Sequence, residues 1–300
     1  MKLKLPNRRR ALRWFVILAA VAILALYIVM PAVFAIVVVF PYKESVGAPP
    51  AGFTEIELAA EDGVTLKAWY APATNGAAII LLHGAGGSRE GVRDHAAMLA
   101  ENGYGVLALD MRGHGESGGT TNRFGWQGTR DVGAAVAFLR ERETSNLIGA
   151  LGLSLGGEVL LGAASAYPEI RAIVADGATQ RSVAELRALD SERPLYRNFT
   201  ARVMYATVQL LTGQDPPKPL LDSMRESEST AFLLVAAGQD EMEVRFNEMF
   251  AATLGERATL CVAPDVGHTR AFNRYPEEYE QRVIAFFDAA LTGPATEPAP

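Results

Sequence analysis

The segment L-I-G-A-L-G-L-S-L-G-G (147–157) joins a short apolar run to a helix-like pattern. The run Leu147–Leu151 predicts a buried strand, and the residues from Leu155 onward predict the start of a helix. Ser154 therefore lies at a strand-to-helix turn, where a serine is held in a strained backbone conformation and its neighbours must be small. Such a turn exposes the hydroxyl and points the Leu155 N–H toward a developing oxyanion, next to a helix N-terminus. Ser154 is thus a candidate nucleophile; the alternative is a glycine-rich turn with an incidental serine.

Similar apolar runs recur along the chain and alternate with helix-like stretches. Two β-prone runs, Phe53–Leu58 and Val64–Tyr70, open the series around an Asp-Gly turn. The later runs are continuously apolar, which is typical of parallel strands covered on both faces. The pattern predicts an α/β fold with a mostly parallel sheet of about eight strands and helices on both faces. The other predicted strands are Ala77–Leu82, Val106–Leu109, Leu147–Leu151, Ile170–Ala175, Ala231–Ala237 and Thr259–Val262, and the predicted helices are Arg89–Asn102, Gly128–Glu143, Leu155–Tyr167 and Glu278–Leu291.

The interval Thr179–Thr230 is the longest between two predicted strands. Its portions Arg181–Leu189 and Tyr196–Leu211 have helical patterns. We expect them to form a small helical lid over the carboxyl edge of the sheet.

A glycine-rich bend, L-L-H-G-A-G-G (81–87), ends the third predicted strand. Backbone N–H groups in such a bend face the nucleophile and complete an oxyanion hole. Ala85 is the predicted donor, together with Leu155, and Gly86 is the alternative to Ala85. A phosphate-binding loop is the competing interpretation, but the segment has neither the P-loop lysine nor a G-x-G-x-x-G pattern.

The chain has four histidines, which makes the search for a general base short. His268 follows the last predicted strand in P-D-V-G-H-T (264–269), a position from which a base reaches Ser154 across the sheet edge. His83 and His114 lie in glycine-rich loops, where His83 is expected to bond loop backbone, and His95 lies in a helix that we expect at the surface. His268 is therefore the predicted base.

The predicted acid is Asp240, which follows the seventh strand in A-A-G-Q-D (236–240). A carboxylate there would orient the His268 ring, and the order Ser154, Asp240, His268 is that of a nucleophile–acid–base triad. Asp176, after the sixth strand, is the alternative acid.

Three further carboxylates lie near these positions. Glu241 and Glu243 are weaker candidates for the acid, and Asp265 is interpreted as a loop-capping residue.

With these motifs together, the chain resembles the α/β-hydrolase superfamily over Phe53–Leu291. The loop D-M-R-G-H-G-E-S (110–117) is similar to the D-x-R-G-x-G-x-S loop of these enzymes, whose role is mainly structural. The combination with H-G-x-G-G, G-x-S-x-G and a late G-H resembles the serine-aminopeptidase-like and dipeptidyl-peptidase-like branches, which include esterases, lipases and peptidases. The chain departs from the family pattern after the seventh strand, where D-E-M-E (240–243) replaces the usual D-x-x-x-P.

An uncharged run of 27 residues, Trp14–Phe40, precedes the predicted domain. As a helix it would be about 40 Å long, enough to cross a hydrocarbon core of about 30 Å, with a kink expected at Pro31. Six cations lie in residues 1–13, so the positive-inside rule predicts a cytoplasmic N-terminus and an extracytoplasmic domain. A cleaved signal peptide is the alternative, although its apolar region is normally about 7–15 residues long.

These features divide the chain into five parts. We predict a basic cytoplasmic leader (1–13), a transmembrane anchor (14–40), a stiff linker (41–52), the hydrolase domain (53–291) and a disordered tail (292–300). After the leader, 22 cations face 34 acids, so nucleic-acid binding is not expected. The single cysteine, Cys261, excludes an intrachain disulfide framework and a multi-cysteine zinc site.

The expected function is that of a membrane-anchored serine hydrolase that cleaves carboxylic esters through an acyl-enzyme, without a metal or organic cofactor. A peptidase or amidase, or an acyltransferase, would use the same residues. A non-catalytic hydrolase-fold domain that binds a partner is the alternative of a different class.

Overall fold

The structure is a computed structural model that describes residues 8–143, 147–190 and 195–292. Residues 1–7 of the predicted leader and 293–300 of the predicted tail lie outside the described residues.

Eight strands form one sheet in the order β1-β2-β4-β3-β5-β6-β7-β8. β1 and β2 pair in antiparallel fashion, β2 is antiparallel to β4, and the other neighbours are parallel. The predicted α/β fold is confirmed. The strands are β1 (Thr54–Ala59), β2 (Thr65–Ala71), β3 (Ala77–Leu82), β4 (Gly105–Leu109), β5 (Leu147–Leu153), β6 (Ile170–Asp176), β7 (Ala231–Ala237) and β8 (Ala258–Ala263).

Both faces of the central strands are buried, as their continuous apolar runs require. Ile80 and Leu82 of β3 belong to one hydrophobic core, whereas Ile79 and Leu81 belong to a second core on the other face. Successive side chains of a strand point to opposite faces of the sheet. When both faces are covered, side chains on both faces are apolar, so apolar and polar residues do not alternate along the strand.

The parallel register brings several strand ends to one edge of the sheet. Leu82 of β3 pairs with Gly152 of β5, and Leu153 pairs with Asp176 of β6, which in turn pairs with Val235 of β7. The loops that follow these strands therefore lie side by side.

Helices cover the sheet on both faces, and α8 (Leu220–Glu226), α9 (Glu241–Leu254) and the short α10 (Ala271–Arg274) were not predicted from the sequence. The others in the domain are α3 (Arg93–Glu101), α4 (Gly128–Arg142), α5 (Leu155–Ala163), α6 (Val183–Leu189), α7 (Leu195–Thr212) and α11 (Pro276–Phe287).

Among the described residues, one helix, Arg8–Val39, is long and apolar enough to cross a membrane, a test that a signal sequence also passes. It consists of α1 (Arg8–Leu24), a π-helical turn (Ala25–Val29) and α2 (Met30–Val39). The chain stays helical through Pro31. Proline has no N–H to donate to the carbonyl of the residue four positions earlier. That residue lies in the π-helical turn, where the hydrogen-bond pattern of the helix changes.

The C-terminal end of this helix is fixed to the domain. Ala35 and Val39 are buried in the same core as Val208 of α7. The Asn122 side-chain amide donates hydrogen bonds to the carbonyls of Val38 (2.6 Å) and Phe40 (3.1 Å). These bonds satisfy carbonyls that a helix end leaves without intrahelical partners.

The residues that follow the helix also lie on the domain. Tyr42 forms an isolated bridge with His114 and donates its N–H to Gly113 O at 2.8 Å. Gly47 donates its N–H to the Glu90 carboxylate at 3.2 Å. Backbone and side-chain hydrogen bonds thus fasten part of the predicted linker 41–52 to the domain surface.

Candidate active site

Ser154 occupies the turn between β5 and α5 in a strained conformation. Its backbone has φ 50° and ψ −116°, and it is one of three non-glycine residues with positive φ among the described residues. The strain is held by the surrounding backbone, since Ser154 N donates to Asp176 O at 2.7 Å and Glu158 N donates to Ser154 O at 3.0 Å. Residues kept in such conformations concentrate at functional sites.

The small neighbours of Ser154 are required by close contacts. A Cβ atom on Gly156 would lie 2.6 Å from Leu82 O and 2.7 Å from His83 O. Only glycine lets the first turn of α5 approach the end of β3 so closely.

His268 reaches Ser154 from the loop after β8. Its Nε2 accepts a hydrogen bond from the Ser154 hydroxyl, with an Oγ–Nε2 distance of 2.8 Å. The ring also lies against the loop after β6, because a Cβ atom on Gly177 would be 2.9 Å from His268 Cε1. The side chain is about half exposed, with 46% of its surface accessible, so the base faces the solvent side of the site.

The carboxylate that contacts His268 is that of Glu243, not that of Asp240. His268 Nδ1 lies 2.7 Å from Glu243 Oε2, and Ala237 N donates to Glu243 Oε1 at 2.6 Å. The Glu243 side chain is fully buried. This hydrogen bond and the negative charge raise the pKa of His268 above its ordinary value, because both favour the imidazolium.

Asp240 instead caps helix α9. Its Oδ1 accepts the N–H groups of Met242 (3.0 Å) and Glu243 (3.1 Å), as the side chain of a helix N-cap does. The described side-chain hydrogen bonds of Asp240 go to the helix end, and none goes to His268, which Asp240 was expected to orient. Glu241 is exposed at the first position of the same helix.

A signal for Glu243 was present in the sequence. Asp240 and Glu243 have the spacing D-x-x-E, which marks a helix N-cap and its third residue. The residue at that third position lies near the cap, and here it lies at the carboxyl edge of the sheet.

Asp176, the alternative acid, lies at the end of β6 without a hydrogen bond to His268 among the described contacts. It is buried, and burial together with the nearby charge of Glu243 raises the pKa of Asp176 to about 7. A carboxyl with this pKa is substantially protonated at neutral pH, which limits the negative charge around Glu243.

The two expected oxyanion donors belong to segments that meet at Ser154. Leu155 is the first residue of α5. The bend after β3 adjoins the serine, because a Cβ atom on Gly84 would lie 3.5 Å from Ser154 Cβ, and Ala85 is the exposed residue that follows.

His83 holds the bend itself. Its Nε2 accepts the Met111 N–H at 3.1 Å and its Nδ1 donates to Gly84 O at 2.7 Å, so both ring nitrogens bond backbone, as expected. Burial lowers the pKa of His83 to about 4, which keeps the ring neutral. His114 is also buried, with its ring 4.9 Å from that of His83.

His95 is buried as well, although its helix was expected at the surface. The ring of His95 lies 4.4 Å from that of Phe272 and 5.7 Å from that of Tyr279. Burial lowers the pKa of His95 to about 4. The contacts come from α10 and α11, which are distant in sequence and cover this face of α3.

The loop 110–117 has a structural role. Asp110 accepts the backbone N–H groups of Arg89 (2.6 Å) and Glu116 (2.9 Å) and forms a buried ion pair with the Arg89 guanidinium. Arg112 pairs with Asp131 and Asp62, each at 2.7 Å. These pairs fix the loop next to His83.

Asp240, Glu243 and His268 have ligand atoms within 4.8 Å of one another, a spacing that would suit a metal ion. Both Glu243 oxygens and both His268 ring nitrogens already have hydrogen-bond partners. A metal ion would have to break the Ser154–His268–Glu243 chain, so the arrangement fits proton transfer better.

The sheet order, the serine turn and the histidine loop define an α/β hydrolase. Residues 77–290 match the alpha/beta hydrolase fold family, and the chain belongs to it. A solved structure of the Pyrococcus furiosus esterase Pf2001 is similar, with a TM-score of 0.66 and 25% identity over 85% of this chain and 98% of that one. A putative aryl esterase from Burkholderia cenocepacia shares the fold, with a TM-score of 0.58 and 20% identity over 80% of this chain and all of that one.

Two curated relatives are similar over most of their length. The uncharacterized protein YfhR of Salmonella typhi is 26% identical over 84% of this chain and 87% of that protein. The uncharacterized protein Rv2307c of Mycobacterium tuberculosis is 26% identical over 81% of this chain and 80% of that protein. The likeness thus extends beyond the residues of the family match.

Proposed function

We propose that this chain is a membrane-anchored serine hydrolase that cleaves carboxylic esters through an acyl-enzyme. The observation that carries the proposal is the hydrogen-bonded chain from the Ser154 hydroxyl through His268 to the buried Glu243 carboxylate. A strained, half-buried serine whose hydroxyl is hydrogen-bonded to a histidine is the arrangement that acyl transfer requires. The esterases among the structural neighbours favour an ester as the substrate.

In the first half of the proposed reaction, Ser154 Oγ forms a bond to the ester carbonyl carbon while its proton passes to His268 Nε2. The carbonyl oxygen becomes an oxyanion, which the N–H groups of Leu155 and Ala85 stabilise. The bond to the leaving alcohol then breaks, and that oxygen takes the proton from His268.

In the second half, water takes the place of the alcohol. His268 removes its proton, the hydroxide oxygen attacks the acyl carbon, and the bond to Ser154 Oγ breaks as the proton returns to the serine. Glu243 accepts the Nδ1–H throughout and stabilises the imidazolium that forms twice per turnover.

Helix Arg8–Val39 is the proposed anchor. Six cations precede the uncharged run, which favours a cytoplasmic N-terminus and a catalytic domain on the opposite side. The burial of Ala35 in the same core as Val208 also favours an uncleaved helix, because cleavage after Ala35 would remove a residue that the domain buries.

Labelling with a fluorophosphonate probe tests the nucleophile. The full chain in detergent should be labelled, and Ser154→Ala and His268→Ala should each abolish labelling and ester turnover. Ser229→Ala, which changes an exposed loop serine, is the matched control and should be labelled like the wild type. Labelling that survives Ser154→Ala would remove this residue from the nucleophile role.

A further inference from the structure

An apolar groove of about 500 Å³ lies between α7 and the part of the N-terminal helix that precedes the buried Ala35. This volume is typical of small-molecule sites. The side chains that line it come from the helix, from α7 and from the start of α9, and include Leu26, Met30, Phe34, Ala201, Met204 and Met242.

Two residues that line the groove lie close along the chain to residues of the candidate active site. Met242, which lines the groove, directly precedes Glu243. Gln180, which also lines it, follows Gly177 in the same loop, and Gly177 lies against the His268 ring. The groove is therefore lined in part by the segments that also carry or contact the hydrogen-bonded chain of the site.

The outer end of the groove faces the region where the proposed anchor crosses the bilayer. Counted from Trp14, about 20 helical residues cross the hydrocarbon core, so the crossing ends near Val33. Leu26 and Met30 thus lie at the depth of the acyl chains, and Phe34 lies just beyond.

Helix α7, which lines the groove, also carries exposed apolar side chains. In the described part of the chain, many of the large exposed hydrophobic residues belong to the N-terminal helix or follow it directly, as Phe40 and Tyr42 do. The others are Phe199, Leu210, Leu211 and Val262. Three of these four belong to α7. An exposed apolar helix next to a membrane anchor is typical of an element that contacts the lipid surface.

We propose that the groove holds the acyl chain of a lipid ester that enters directly from the bilayer, with its ester carbonyl at Ser154. The inference rests on the proposed function and specifies its substrate class. The N-terminal helix is then part of the substrate-binding site as well as an anchor. The freed fatty acid leaves by the same route into the membrane.

Photolabelling tests occupancy of the groove independently of turnover. The full-length Ser154→Ala variant is placed in phosphatidylcholine vesicles that contain a long-chain acyl ester with a diazirine near the end of the chain. We expect labelled peptides from both Leu26–Phe34 and the 200–205 stretch of α7. Ala201→Phe fills the groove and should remove the α7 label, whereas Ala206→Phe, on the exposed part of the same helix, should not.

A second measurement uses the active enzyme. The ratio of kcat/KM for a long-chain ester to that for a butyrate ester should fall about tenfold or more in Ala201→Phe and stay unchanged in Ala206→Phe. The groove proposal would be overturned if Ala201→Phe and Ala206→Phe had the same kcat/KM ratio. It would also be overturned if the label appeared all around the N-terminal helix and did not respond to Ala201→Phe. Either result would leave the proposed hydrolase activity intact. Absence of butyrate turnover in the wild type would instead overturn the proposed function, and the photolabelling would still decide occupancy of the groove.

Discussion

At the scale of single residues, the two oxygens of Glu243 have separate partners. One accepts the Ala237 N–H and the other faces His268, so the side chain is fixed in both position and rotation. A buried carboxylate that is held in this way fixes the tautomer of the histidine, with its proton on Nδ1 and its lone pair toward Ser154.

Replacement of Glu243 by Gln tests this role. The uncharged amide no longer stabilises the imidazolium, so kcat should fall by about 10³–10⁴-fold. The contact with Glu243 raises the pKa of His268, and its loss should move the acid limb of the kcat/KM–pH profile to lower pH, because a base with a lower pKa stays neutral at lower pH.

Asp240→Asn is the matched control for Glu243→Gln. Asparagine caps a helix about as well as aspartate does, so kcat should change by about threefold or less. A larger loss in Asp240→Asn than in Glu243→Gln would return the acid role to Asp240.

At the scale of secondary-structure elements, the site depends on how closely α5 approaches β3. Gly156→Ala should reduce kcat/KM by about 100-fold, because the new methyl group pushes on two backbone carbonyls and displaces the serine turn by a few tenths of an ångström or more. Gly91→Ala is the control, since a Cβ atom at position 91 would meet no atom within 4 Å. Steady-state kinetics and circular dichroism of both variants distinguish a local displacement from general unfolding. Wild-type kinetics in Gly156→Ala would show that the site does not depend on the close approach of α5 to β3.

The sequence was sufficient to predict most of the sheet. Each of the central strands is a continuous apolar run bounded by turn residues, and that pattern depends on local composition alone. Helix α9 was missed although Phe246, Phe250 and Leu254 recur at helical spacing, and with it the position of Glu243 was missed.

Other features depend on contacts between distant segments and have no local signal. The apolar residues Ala35 and Val39 predict a lipid-facing helix as well as a docked one, and only the position of α7 distinguishes the two. Likewise, the burial of His95 is produced by Phe272 and Tyr279, more than 170 residues away.

At the scale of the whole molecule, buried histidines couple stability to pH. The pKa of His95 is lowered to about 4 in the folded chain, against an ordinary value of 6.5. Between these values the unfolded chain binds a proton that the folded chain does not, so this residue makes the fold less stable as the pH falls.

His95→Phe keeps a ring among Phe272 and Tyr279 but removes the titration. Relative to this variant, the wild type should lose about 2 kcal/mol of unfolding free energy between pH 7.5 and pH 5. Urea unfolding of the full chain in detergent measures the difference. Phe272→Leu weakens the same packing without removing the proton site, so it should be destabilised equally at both pH values. If His95→Phe and the wild type lost the same free energy of unfolding between the two pH values, His95 would not be the source of the pH dependence.

The hydrogen bonds of Asn122 to the end of the N-terminal helix have a consequence for how the enzyme would search for substrate. If the helix is the proposed anchor, the bonds to Val38 and Phe40 hold the domain at a fixed height and tilt above the bilayer, unlike a domain on a flexible linker. The loop that contains Asn122 continues to Gly125, where a Cβ atom would lie 2.6 Å from Leu155 Cδ1, so the rigid link extends to the residue after the nucleophile. Under the proposed topology, Ser154 stays in one plane parallel to the membrane. The enzyme then encounters its substrate by two-dimensional diffusion within the membrane.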